Sequence, residues 1–143
     1  MPYPEYLVAP MRQELVDVGA RECRTADDVD AVVKQPGVTM MIVNSVCGCA
    51  AGKARPGIAT ALQHEIKPDT VATVFAGADL EATDRARQYF TGFAPSSPSI
   101  GFLKDGKLVF MVERRDIEMR SAQAIADLLT MAFDKLCAKE AVG

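Results

Sequence analysis

The sequence predicts an α/β fold: a central mixed β-sheet flanked by helices, with additional helices ahead of it at the amino end. Three observations carry that expectation. Two short, nearly unbroken apolar runs, at 38–43 and 71–76, have the pattern of strands covered on both faces. Each is followed by a stretch of helical character, so parallel strands are joined by helical crossovers. Asp105-Gly106 then separates two apolar segments, 100–104 and 107–113, as a tight hairpin turn does, which adds antiparallel strands and makes the sheet mixed.

At the amino end, residues 10–18 read as a first helix, with Pro10 at its start, Met11, Leu15 and Val18 on one face and Gly19 as its stop. Thr25 caps a second helix, with Asp28 three residues on in the manner of a capping box, Val29, Val32 and Val33 facing inward, and Pro36-Gly37 ending it. Residues 50–66 are small and helix-compatible after the first strand, and Pro56-Gly57 is expected to kink or split that helix. Asp79 caps a helix running to about Phe90, with Leu80, Ala82, Ala86, Tyr89 and Phe90 as inward residues. A proline- and serine-rich loop, 91–99, contains Pro95 and Pro98. Ser121 caps the last helix, in which Ile125, Leu128, Leu129, Ala132, Phe133 and Leu136 follow the i, i+3, i+4 rhythm. From residue 38 the order is strand, helix, strand, helix, hairpin, helix. With a cysteine pair between the first strand and its helix, that is the order of a thioredoxin-like fold.

Length and composition narrow the class further. A chain of 143 residues fits a single domain spanning 1–143 and is long enough to bury a real core. The net charge of −3 gives no electrostatic reason to expect nucleic acid or an acidic membrane as partner. No apolar stretch approaches the roughly 20 residues needed to cross a bilayer. The first ten residues lack the basic-then-apolar pattern of a secretory signal, so the expected compartment is the cytoplasm. Four cysteines, at 23, 47, 49 and 137, are not the framework of a small secreted fold. In a reducing compartment Cys47-Gly48-Cys49 points to redox chemistry or to metal binding.

Disulfide exchange needs an exposed thiolate, and an unperturbed cysteine with a pKa near ~8.5 is mostly protonated at neutral pH. Cys47 stands where strand gives way to helix, and free N–H groups and the helix dipole there favour negative charge. It is read as the attacking thiol, with Cys49 as the resolving thiol. Gly48 eases the tight ring that a disulfide across one residue would close, and strain in such a ring implies a comparatively oxidising couple. In a thioredoxin-like fold a cis-proline entering the strand after the loop faces the cysteines, and the residue before it offers backbone groups to substrate. Ser97 and Pro98 take that role here, with Pro95 the lesser candidate.

Lys53 and Arg55 on the active-site helix read as a solvated face, with steering of an acidic thiol as the alternative. Arg114, Arg115 and Arg120 read as surface charges that are able to bind a carboxylate. His64 reads as structural or exposed, and Cys23 and Cys137 as packing residues. The rival reading, a soft-metal module, uses the same two thiolates. A closed zinc site needs four ligands, and His64 lies fifteen residues past Cys49, roughly 22 Å along a continuous helix at ~1.5 Å per residue. No tightly bound cofactor or metal is expected. A redox sensor signalling through a partner is the third reading.

The segment Val43-Asn-Ser-Val-Cys-Gly-Cys-Ala-Ala-Gly-Lys-Ala-Arg-Pro56, together with Ser96-Ser-Pro-Ser-Ile100 and the Lys104-Asp-Gly106 turn, resembles the bacilliredoxin family over nearly the whole chain. The resemblance implies a thioredoxin-like fold and removal of bacillithiol from mixed disulfides on cytoplasmic client proteins, with weak disulfide isomerase activity in some members. It implies that Cys47 attacks the bacillithiol sulfur, the client leaves as a free thiol, and a second bacillithiol or Cys49 resolves the adduct. The partners so implied are S-thiolated proteins and a low-molecular-weight thiol. The chain departs from the family pattern at Arg115 and Met119, where histidine and glycine are common, which bears on the preference for the small thiol.

Overall fold

The apolar run that begins at Val38 forms the middle strand of the sheet in the computed structural model, which describes residues 2–137. The elements in chain order are α1 (Glu5–Val16), β1 (Arg21–Glu22), α2 (Ala26–Val33), β2 (Val38–Asn44), a π-helical turn (Ala50–Ala54) continuing into α3 (Arg55–Ala61), and β3 (Thr70–Phe75). They continue with α4 (Leu80–Tyr89), β4 (Ser99–Lys104), β5 (Lys107–Val112), α5 (Arg114–Glu118) and α6 (Ala122–Cys137). The sheet order is β1-β3-β2-β4-β5, with β3 parallel to β1 and β2, and β4 antiparallel to β2 and β5. It is the mixed sheet that the apolar runs and the hairpin predict. Asp105 and Gly106 both have positive φ, 52° and 78°, as the hairpin turn requires.

Every residue of β2 is buried, and the period-two alternation divides its side chains between two layers. Met40 and Ile42 pack on one face with Ile58 of α3 and Ile125, Leu129 and Phe133 of α6. Met41 and Val43 pack on the other with Val29 and Val33 of α2 and Ala82 and Ala86 of α4. Burying each large apolar side chain contributes about 1.5–3 kcal/mol, so a strand covered on both sides is a fixed platform from which the following loop projects.

Several boundaries differ from the sequence expectation. The first helix begins at Glu5 rather than residue 10, and Pro10 lies inside it. Its buried face is Val8, Arg12 and Leu15, because Arg12 is drawn inward by Asp79, with contacts of 2.6 and 2.7 Å. Asp79 does precede α4, but its carboxylate holds Arg12 and accepts from the Phe75 N–H instead of capping the helix. Leu80, expected inward, is 59% exposed. The Thr25–Asp28 capping box and the Ser121 cap are present as expected.

The helix after the cysteines ends at Ala61, not Ile66, since the Gln63 and His64 N–H groups bond three residues back and unwind it. Its split at Pro56 takes the form of the π-turn. Proline has no N–H and its ring crowds the carbonyl four residues before, so the turn widens and the Arg55 N–H reaches Ala50 O, five residues back. Two short elements, β1 and α5, were not expected from the sequence. Among the described residues, no helix is long and apolar enough to cross a membrane.

Candidate active site

The site is built where β2 ends. Asn44 is paired with Phe75 of β3, and Val43 with Ser99 of β4, so Pro98 enters beside the last residue of β2. The Ser97–Pro98 peptide bond is cis. Beyond Asn44 the chain turns through Ser45 and Val46 to Cys47, whose carbonyl accepts from the Ala50 N–H at 3.0 Å and the Ala51 N–H at 3.1 Å. Cys47 therefore occupies the capping position of a helical turn that begins at Gly48, where free N–H groups need acceptors.

The cysteines at 47 and 49 are unpaired thiols, both partly exposed. Burial pushes the Cys47 pKa up, but hydrogen bonds from the Ser45 hydroxyl and the Ala50 and Cys49 N–H groups, with the nearby Arg114 charge, outweigh it. The net result is a thiol that ionises more readily than an ordinary cysteine. Ser45 serves twice, since its oxygen also accepts from the Cys47 N–H at 3.2 Å. Gly48 is exposed, with no positive φ and open space where a Cβ would stand. In this dithiol form the backbone does not require glycine there.

The Ser45 turn is held from beneath by a buried arginine. Arg55, read from sequence as part of a solvated face, is only 4% exposed. Its Nη1 donates to Asn44 Oδ1 at 3.0 Å and to the Ser45 carbonyl at 2.8 Å, and its Nε pairs with Glu14 at 3.1 Å. Asn44 in turn donates to the Met11 carbonyl at 3.2 Å, which joins α1 to the site. The position two residues after Lys53 thus turns the guanidinium under the loop instead of toward solvent.

From the opposite side, α5 closes over the cysteines. The Arg114 N–H donates to Ser96 Oγ and its Nη1 to the Ser97 carbonyl, both at 3.3 Å. Its Nε forms an ion pair with Glu118, whose Oε1 accepts from Cys49 Sγ at 4.0 Å. Lys53 reaches the Glu118 backbone carbonyl. Arg114, read as a surface charge, thus bridges the loop at Ser97 and the surroundings of Cys47 and Cys49. Arg115 does lie on the surface, 82% exposed in its side chain. Sequence reasoning missed Asn44, Ser45 and Glu118. A serine two residues before a candidate thiolate is a legible acceptor for its turn, whereas nothing in the sequence places Glu118 near Cys49.

The other candidates lie elsewhere. Cys23 is buried on the α2–α4 side of the sheet, and burial pushes its pKa up to about 12. Burial raises that of Cys137 to about 11. His64 pairs with Asp134 of α6 at 2.8 Å, a structural link. Among the described residues, no group of three or more His, Cys, Asp or Glu side chains stands ready to hold a metal ion. The fold and the dithiol at the head of a helix fit one class of protein, and the comparisons agree.

Solved thioredoxins share the fold. One from Malassezia sympodialis superposes with a TM-score of 0.58 at 15% identity, covering 84% of this chain and 92% of that one. A mutant thioredoxin from Halobacterium salinarum NRC-1 gives 0.57 at 16%, covering 87% and 96%. The class these likenesses define is that of thioredoxin-fold proteins. The model of the disulphide isomerase family matches residues 3–137. A bacilliredoxin of Koribacter versatilis is 60% identical over 94% of each chain, and one of Cytophaga hutchinsonii is 52% identical over 94% of this chain and 99% of its own. The chain belongs to this disulphide isomerase family, among the bacilliredoxins.

Proposed function

We propose that the protein removes a small thiol from mixed disulfides on client proteins, with Cys47 as nucleophile and bacillithiol as the small thiol. The observation that carries this reading is the half-exposed Cys47 at a helix-capping position with its pKa lowered. In the first step the Cys47 thiolate attacks the bacillithiol sulfur of client–S–S–bacillithiol. The bond to the client sulfur breaks, the client leaves as thiolate, and bacillithiol becomes disulfide-bonded to Cys47. A second bacillithiol thiolate, or Cys49, then displaces that bacillithiol. The relatives' name supports bacillithiol, and the cytoplasm is where such clients would be met. The family's name supports a weaker isomerase activity by the same attack on a protein disulfide.

Offering a bacillithiolated model protein to the wild type and to each cysteine variant tests the reading. Cys47→Ser abolishes release. Cys49→Ser retains part of it and accumulates a mixed disulfide on Cys47, seen by intact mass. Equal loss from both substitutions would contradict the assigned order of attack.

A further inference from the structure

The reading above gives Cys47 its electrostatic support but leaves the resolving thiol without an assigned proton acceptor. We propose that Glu118 is a catalytic residue, the base that takes the proton from Cys49 as Cys49 attacks the mixed disulfide on Cys47. This inference rests on the proposed disulfide exchange and deepens it.

Three features of the geometry converge on Glu118. The Cys49 thiol donates to its Oε1 over a long contact of 4.0 Å. Nothing else in the site accepts from that sulfur among the described residues. The carboxylate is held on both sides: Arg114 grips the same Oε1 through its Nε, and Lys53 fixes the backbone of residue 118 through its carbonyl. The side chains of Arg114 and Glu118 are 45% and 47% exposed, so a proton received there exchanges readily with water. The Arg114 guanidinium also lies within electrostatic reach of both sulfurs.

The step balances without an external oxidant. The proton moves from Cys49 Sγ to the Glu118 carboxylate. The Cys49 thiolate attacks Cys47 Sγ, a Cys47–Cys49 disulfide forms, and the bond from Cys47 to the small thiol breaks. The electron pair leaves on the small thiol, which takes the proton from Glu118. A further low-molecular-weight thiol then reduces the pair.

The test uses 5,5′-dithiobis(2-nitrobenzoate) on the full chain in a Cys137→Ser background. Attack by Cys47 releases one coloured thiolate, and resolution by Cys49 releases a second. Glu118→Gln is expected to slow the second phase by about 10²-fold, the usual size of a general-base effect, and far more than it alters the first. The wild-type second phase is flat from about pH 6 to pH 8, whereas that of Glu118→Gln climbs about tenfold per pH unit, because hydroxide must replace the base. Acetate restores the second phase in Glu118→Ala, an outcome that a purely structural loss would not give. An unchanged second phase in Glu118→Gln, or equal slowing with no change in pH dependence, overturns the proposal. The chromogenic reaction does not use bacillithiol. Failure to release bacillithiol from clients therefore sinks the functional reading while leaving this assignment to its own result.

Discussion

Replacing Arg55 with methionine removes the support beneath the Cys47 turn while keeping most of the apolar volume of its stem. Two hydrogen bonds from the buried guanidinium are lost, to Asn44 Oδ1 and to the Ser45 carbonyl. Charge-assisted bonds of this kind contribute about 1.5–3 kcal/mol each. The Glu14 carboxylate is 51% exposed, so its pair adds only about 0.5 kcal/mol after solvent screening. Against these, methionine no longer carries the desolvation cost of a buried charge. Asn44 Oδ1 still accepts from the Ser45 N–H at 2.8 Å, but the Ser45 carbonyl is left bare. The net loss is about 2–4 kcal/mol, or about 6–12 °C in melting temperature at ~3 °C per kcal/mol for a domain of this size. The Ser45 hydroxyl moves with its backbone, so the Cys47 thiol loses one of the contacts that lower its pKa. The pH profile of Cys47 alkylation then shifts to higher pH. Differential scanning calorimetry and iodoacetamide kinetics with peptide mapping measure both effects. A variant that melts within about 2 °C of wild type, with the alkylation profile unmoved, refutes the argument that Arg55 positions this turn.

Two further outcomes follow from the packing. The buried Cys23 has its pKa raised to about 12, so it resists alkylation in the native state at a pH where free thiols react. Its contribution to stability is complete below the unfolded thiol's pKa of ~8.5 and is lost as pH rises toward the folded value, at about 1.4 kcal/mol per unit. Chemical denaturation against pH should show that alkaline slope in wild type and a shallower one in Cys23→Ala; identical slopes exclude it. Gly57 lies where α3 crosses α6, and a Cβ there would stand 2.7 Å from Ile125 Cγ2 and 3.0 Å from the Ala122 carbonyl. Gly57→Ala is therefore expected to cost about 1–3 kcal/mol through overpacking, read as a drop in melting temperature, and an unaltered transition would show that the helices part freely.

How much of this was legible in the sequence depends on the range of the interaction concerned. Strands β2 and β3, the Asp105-Gly106 turn and the capping of α2 and α6 are set by neighbours a few residues apart, and periodicity finds them. Strand β1 has two residues and α5 has five, too few to show a period. Arg55 reads as a solvent charge in the sequence because its partners, Asn44 and Glu14, lie 11 and 41 positions away, and the inward turn of Arg12 went unread because Asp79 is 67 positions from it. Cys47, the proposed nucleophile, was readable because most of what lowers its pKa is local, through Ser45, Cys49 and Ala50, with only Arg114 coming from afar. Glu118 was not, since it reaches Cys49 across 69 positions.

That difference in range explains why the two thiols of one short motif have separate partners. A side chain at a helix cap faces the unpaired N–H groups of the first turn, so Cys47 gains its support from the Ser45 hydroxyl and those N–H groups, with the Arg114 charge added. Two residues on, Cys49 is already inside the turn, and its sulfur has its acceptor on another element. Helix α5 supplies it with Glu118, and the Arg114 of the same helix reaches back to the Ser97 carbonyl on the cis-proline loop. A single short helix therefore touches Cys49 and the loop carrying the cis-proline. Displacing α5 should then impair resolution and substrate docking together, while leaving the ionisation of Cys47 largely to its own helix turn.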